Sequence, residues 1–163
     1  MRWIWIDKFT DFQSGVSATA IKNVSMAEEH LHDHFPAYPV MPASLIVEGM
    51  AQTAGILVGE ARNFEEKVIL AKVKQAKFLK EVRPGDQLQY DARIEQVSPQ
   101  GAMTAGRVTV NGEPLAEIDI VFSHIDNNMS GLAFPEENFV FTEDFKSLLT
   151  TYNVSASTAA SAQ

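Results

Sequence analysis

The period of apolar positions changes several times along the chain, and each change marks an element. Residues 44–58, SLIVEGMAQTAGILV, are apolar on nearly every face of a 3.6-residue repeat, and a helix that is apolar all round is normally buried. The pattern therefore predicts a central core helix, slightly short for a membrane span and interrupted by Glu48 and Gln52. Pro36, Pro39 and Pro42 precede it. Each fixes φ and steers the residue before it away from α geometry, so helix can begin only at about Pro42. The N–H groups of Ala43, Ser44 and Leu45 then face back toward a loop containing His34. Such an end is electropositive and suits a carbonyl or an anion.

Strand signals flank the helix. Residues 3–12 are β-prone and read as an opening strand or a strand with a helical start, Gly15 as a turn, and residues 16–24 as a second strand. Ser25 and Glu28 have the S-x-x-E form of a capping box, which predicts a short helix over residues 28–33 that delivers His34 to its loop. After the core helix, residues 68–80 open on a continuous apolar run that suits a central strand. Arg83-Pro-Gly-Asp86 is a turn, residues 87–97 alternate with Leu88, Tyr90, Ala92 and Ile94 on one face, and Pro99-Gln-Gly101 turns again. Residues 102–110 and 114–122 are strands joined by the hairpin signal Asn111-Gly112. The predicted order is two short strands, a buried helix and a four-strand antiparallel meander, an α+β design in which a sheet wraps one long helix. Further on, Asn127, Asn128, Ser130 and Gly131 read as a linker. Residues 142–152 read as a capped amphipathic helix with Phe145, Leu148, Leu149 and Tyr152 at helical spacing, and residues 155–163 as a disordered tail. Residues 1–125 are thus expected to form one domain and residues 126–163 an extension.

Composition sets bounds on function. A chain of 163 residues, 45% hydrophobic and 21% charged, is sized for one globular domain. With no cysteine there are no disulfides or thiolate metal sites, and the opening apolar run is too short for a signal peptide. The expectation is a soluble cytoplasmic protein. A net charge of −8 argues against a nucleic-acid partner. Yet six of the thirteen basic residues, Lys67, Lys72, Lys74, Lys77, Lys80 and Arg83, fall within residues 67–83, so an acidic protein has one basic strip.

Candidate chemistry concentrates before and within the core helix. His30, His32 and His34 with Asp33 invite a metal reading, but HLHDH is one residue short of the H-x-H-x-D-H pattern of metallo-hydrolases, and no metal is assigned. Glu48 is the one ionisable group within residues 44–58, and an apolar setting demands that it be protonated or partnered. Gln52, one turn on, can orient it by hydrogen bonding. Tyr38 and Met50 read as packing.

The run HFPAYPVMPASLIVEGMAQ, residues 34–52, resembles the active-site signature of the 3-hydroxyacyl-acyl-carrier-protein dehydratases of fatty acid synthesis, H-F-P-G-x-P-V-x-P-G followed by a helix carrying an acidic residue. WIWIDK at residues 3–8 is similar to the family's early strand ending in D-R, and RPGDQL at residues 83–88 to its P-G-D-Q-L turn. Ala37 and Ala43 stand where the family usually has glycine; a positive φ at either would strain alanine by about 1 kcal/mol or more. The resemblance implies the hotdog fold, with homodimers formed by joining sheets edge to edge and a trimer of dimers as a further assembly. It implies His34 and Glu48 as catalytic residues that meet across the dimer interface, and no cofactor. Eliminating water from a 3-hydroxyacyl thioester needs a base at C2, which a histidine can be, an acid for the departing hydroxyl, which a carboxyl in an apolar helix can be, and donors for the thioester oxygen. The N–H groups of Ala43 and Ser44 would be those donors, with Gln52 in support. The implied partner is an acyl carrier protein, for which Lys72, Lys74, Lys77, Lys80 and Arg83 are docking candidates. A hotdog thioesterase, which would not need His34, and a non-catalytic acyl-binding hotdog protein are the alternatives.

Overall fold

A computed structural model describes residues 3–125 and 135–150. The elements are β1 (Lys8–Gln13), β2 (Ser17–Asn23), α1 (His30–Asp33), α2 (Ala43–Glu60), β3 (Val68–Phe78), β4 (Gln87–Ser98), β5 (Gly101–Val110), β6 (Glu113–His124) and α3 (Glu143–Thr150). Asn127, Asn128, Ser130, Gly131, Tyr152 and residues 155–163 lie outside the described residues.

All six strands form one sheet in the order β1-β2-β4-β5-β6-β3, with antiparallel neighbours throughout. Local turns account for most of this: Asn111 and Gly112 close the β5–β6 hairpin with φ of 50° and 83°, and residues 99–100 join β4 to β5. Two expectations need correction. The meander has three strands, β4-β5-β6, because β3 crosses over to pair with β6. For the same reason β3 is an edge strand and not a central one. Its apolar run buries only Val68, while Leu70 and Val73 are 40% and 38% exposed. The opening strand also starts later than its composition suggests, since residues 3–7 belong to no strand and Trp5 gives its N–H to Gln52. The capping box is half formed: Glu28 Oε1 accepts the Ser25 N–H at 3.0 Å, but Ser25 Oγ takes the Ala27 N–H, and helix begins only at His30.

The sheet curls around α2. Residues 49–59 of this helix are all buried, on every face, as a helix without a polar stripe requires. Contact with β4 is close enough that a side chain at Gly49 would stand 2.6 Å from the Tyr90 ring and hydroxyl. Tyr90 is itself fully buried, and desolvation, helped by the carboxylates of Asp7 and Glu28, pushes its hydroxyl far above the ordinary phenol range. Residues 135–150 return to the domain and seat Phe141 against Gly59 and Phe64. The amphipathic helix expected there is α3. No helix among the described residues is long and apolar enough to cross a membrane.

Gly49→Ala should destabilise the fold by about 1–3 kcal/mol, the usual range for overpacking a filled core. Gly55→Ala, whose new methyl would meet Phe122 at an ordinary 3.5 Å, should change stability by no more than about 1 kcal/mol, and toward stability, from helix propensity. Urea midpoints of the two variants measure the difference.

Candidate active site

His34 ends α1 and is held by the loop it opens. Its carbonyl accepts the Val40 N–H at 2.9 Å, and the Val40 carbonyl lies 2.8 Å from His34 Nδ1. A carbonyl can only accept, so Nδ1 carries the proton and the lone pair of neutral His34 is on Nε2. The ring stacks on Phe35 at 4.2 Å, which leaves it half-buried with a defined orientation. The loop is tied down in turn, with Met41 N–H donating to the Val82 carbonyl. Tyr38, read from sequence as packing, is 45% exposed; its hydroxyl donates to Glu81 and accepts from Arg83, whose guanidinium lies over the ring at 4.2 Å. Those bonds hold the Glu81 carboxyl below its ordinary range.

Eight residues beyond His34, Pro42 occupies the N-cap position with φ −57° and ψ 133°, and helix starts at Ala43. Leu45 N–H turns back to the Pro42 carbonyl, so it does not face the loop as expected. Ala43 and Ser44 are exposed, no acidic residue stands in this first turn, and first-turn N–H groups lack intrahelical acceptors. The helix end can therefore receive an oxygen that develops negative charge.

Glu48 follows after one and a half turns and is half-buried. Its Oε1 accepts two hydrogen bonds, from Gln52 Nε2 at 2.9 Å and from the Trp3 indole N–H at 3.1 Å. Gln52 is buried and fully committed: its oxygen takes the Trp5 N–H at 2.7 Å, and its amide also donates to the Trp3 carbonyl at 3.1 Å. Trp3 carried no chemical signal in the sequence, because nothing local to residue 3 points to a partner 45 positions away. A cavity of about 300 Å³ opens beside this cluster, with Glu48, Gln52 and Trp3 at one end and apolar side chains along the rest.

His34 does not line that cavity, and no hydrogen bond joins it to Glu48 among the described residues. One chain thus presents the histidine with the helix N-terminus, and the carboxylate with the cavity, as separately braced groups. The three neighbouring histidines also diverge. His32 Nε2 meets the Met26 carbonyl, His30 sits beside Glu28 and Trp5 with burial holding its pKa below the usual value, and His34 turns to Val40. Along the basic strip, Lys80 pairs with Glu113 and Arg83 with Glu81, while Lys72, Lys74 and Lys77 have no carboxylate partner among the described residues. Lys67 is buried and leaves the strip.

A family model described as a FabA-like domain matches residues 3–119, more than half of the chain and all of the groups above. The chain belongs to the FabA-like domain family. It is 38% identical over 122 residues to the 3-hydroxyacyl-[acyl-carrier-protein] dehydratase FabZ of Oceanobacillus iheyensis, covering 74% of this chain and 87% of that protein. To the protein of the same name from Listeria welshimeri it is 37% identical over 125 residues, covering 76% and 87%. Among solved structures, the dehydratase heterocomplex ApeI:P of Xenorhabdus doucetiae superposes with a TM-score of 0.63 at 14% identity, over 75% of this chain and 83% of that one. That likeness speaks for the fold, and the antiparallel sheet wrapped on one helix is the hotdog arrangement.

Within this FabA-like domain the two alanines that replace glycine are unstrained. Positive φ outside glycine occurs at Asn63, Phe64 and Asn111, not at Ala37 or Ala43, and Ala43 is regular helix. The bracing of the carboxylate gives a stability test. Gln52→Leu leaves the Trp5 N–H without its acceptor and should cost about 1–3 kcal/mol. Trp3→Phe removes a donor from a side chain that is 55% exposed and should cost less than about 1 kcal/mol. Thermal melts of the two variants give the comparison.

Proposed function

We propose that this chain dehydrates (3R)-3-hydroxyacyl thioesters of acyl carrier protein to trans-2-enoyl thioesters in fatty acid biosynthesis. The observation that carries the reading is the family match over residues 3–119, reinforced by 37–38% identity to FabZ dehydratases. The geometry supplies a group for each chemical need. His34 Nε2, free because Nδ1 is committed to Val40, takes the proton from C2. The C2 electron pair becomes the new C2=C3 bond, the C3–O bond breaks, and Glu48, oriented by Gln52, delivers the proton with which the hydroxyl leaves as water. Ala43 and Ser44 N–H groups at the start of α2 hold the thioester oxygen while charge builds on it. A proton returned from His34 to Glu48 by way of solvent resets the pair. No metal or cofactor enters these steps.

The site is assembled from two chains in this reading. Glu48 and His34 have separate braces within one protomer, and β3 leaves a long sheet edge open, with Leu70, Val73 and Leu79 exposed along and just after it. An open edge of that length is a template for pairing with another strand. Joining two β3 edges makes a homodimer and brings the histidine half of one chain to the carboxylate half of the other; a trimer of dimers can build on it. Residues 1–125 are the dehydratase unit and residues 126–163 an extension, and the protein acts in the cytoplasm. Lys72, Lys74 and Lys77, which have no carboxylate partner among the described residues, together with Lys80 and Arg83 reverse the local field of an acidic chain and dock the acidic carrier.

Incubation with a 3-hydroxyacyl thioester tests the reaction: enoyl product supports dehydration, whereas free thiol would mean a thioesterase, and neither product a binding protein. His34→Ala and Glu48→Gln should each lower the dehydration rate about a hundredfold or more, since positioned acid–base groups contribute roughly 10² to 10⁴. Mixing the two inactive variants should restore activity through heterodimers with one intact site; failure despite demonstrated subunit exchange would put both groups in one chain.

Charge reversal at Lys72 and Lys74 should weaken activity on carrier-bound substrate through association, spare a small thioester analogue, and lose its effect as salt rises, because exposed charges are screened over about 8 Å at physiological ionic strength. Equal losses on both substrates would assign the lysines to the fold.

A further inference from the structure

The cavity beside Glu48 is lined in part by a stretch of the chain that the family match does not include. Along α2, Glu48, Gln52, Gly55 and Gly59 succeed one another at intervals of three or four residues, so they follow one side of the helix. At 1.5 Å per residue, Gly55 lies roughly 10 Å and Gly59 roughly 16 Å from Glu48 along the axis. The polar groups are gathered at the Glu48 end. The remaining walls are Phe122 of β6, which packs at Gly55, the start of β3, and three residues from beyond position 135, namely Val140, Phe145 and Phe141, the last of which lies over Gly59. The family match ends at residue 119.

Val140 and Phe141 are fixed in place by specific contacts, and Phe145 packs against the same core. The Asn138 amide donates to the Phe64 carbonyl at 2.9 Å, and its oxygen accepts the N–H groups of Val140 and Phe141 at 3.2 and 3.1 Å. Phe141 packs edge-on to Phe64 at 5.1 Å and occupies the space that any side chain at position 59 would need. Phe64 itself is held at φ 57°, a conformation that a bulky residue keeps only when its surroundings impose it. Lys146 reaches over the same ring at 5.9 Å.

We propose that Val140, Phe141 and Phe145 form the distal wall of the acyl pocket and set the length of the acyl chain that this dehydratase accepts. The proposal rests on the dehydratase reading for its occupant, the hydrocarbon tail of a thioester whose reacting carbons lie at Glu48. A saturated tail offers no hydrogen bonds, so a pocket can measure it only by where the space ends, and one methylene in an apolar pocket discriminates by about 10–200-fold. At about 300 Å³ the cavity is at the small end of ligand pockets, where each wall residue weighs on the available depth.

The test uses the full chain and a series of saturated 3-hydroxyacyl N-acetylcysteamine thioesters of rising length, with two readouts: kcat/KM for enoyl formation, and equilibrium binding of the corresponding unreactive acyl thioethers. Phe145 is half-buried, so Phe145→Ala removes wall without emptying the core; Val140→Ala is a smaller excision from the same wall and serves if the first variant melts early. The expected result is a preference shifted toward longer chains, with the long-to-short ratio rising about tenfold in both readouts. Unchanged length profiles in folded variants would overturn the proposal. A wild-type chain that forms no enoyl product, but whose variants still shift the binding profile, would refute the dehydratase reading and leave the wall in place.

Discussion

Nearly everything in this fold follows from the need to bury α2 on all sides. A helix whose residues 49–59 are apolar enough to be buried on every face cannot lie on the surface of a sheet as an amphipathic helix does. The sheet has to curl around it, and the helix axis has to come close enough to β4 that only glycine fits over Tyr90 at position 49. A filled interior of that kind tolerates little change in volume, because its density is already that of an organic crystal. The strands are long and continuous on the side that covers the helix, and β3, at the far edge, gives up burial once it passes Val68.

The same constraint makes the chemical groups possible. A polar side chain in such a helix needs its partners supplied from elsewhere in the chain, and here the supply is the segment before β1. Gln52 satisfies Trp5 and Trp3 on the backbone and still has a donor left for Glu48. An acidic group can therefore sit at the rim of an apolar cavity with its orientation set by the Gln52 amide and the Trp3 indole. At the other end, the proline-rich approach stops the helix abruptly at Ala43, and the loop that does so closes on His34 through Val40. His34 is placed by a main-chain carbonyl and Glu48 by two side-chain donors, and fixed orientation of this kind is what the proposed acid–base chemistry asks of a scaffold.

The helix, its starting point, the loop histidine and the hairpins were legible in the sequence because each has a local cause: an apolar run, a proline, a Pro-Gly or Asn-Gly pair. What was not legible is non-local. Residues 68–71 are apolar and look like an interior strand, yet their position was decided by pairing with β6, more than 40 residues on, and lysines at 72, 74 and 77 were the sign of an edge that the short apolar run outweighed. Counting strands in order suggested a four-strand meander, since sequence neighbours usually pair, and no residue in β3 announces a crossover. The Trp3 indole at Glu48 and the Phe141 ring at Gly59 depend on where two distant segments meet, so neither had a signature to read. The substituted glycines at Ala37 and Ala43 raised a question of strain that only backbone angles could answer.

In the proposed reading, Phe141 lets a family fold change what it accepts without altering its reacting groups. Gly59 leaves room for another element to approach the helix, because a side chain there would run into the Phe141 ring. In this chain the occupant comes from outside the family match, and once seated it is part of the core at 4% exposure. Such an insertion is stabilised by the apolar area it covers, and its direct contacts are with Gly59 and Phe64, roughly 16 Å along the helix from Glu48. Variation in the appended segment can then reshape the far end of the cavity while the groups at Glu48 and His34 keep their bonds. In that reading, chemistry and length selection are carried by separate stretches of sequence, and the contact at Gly59 is where the second is fastened to the first.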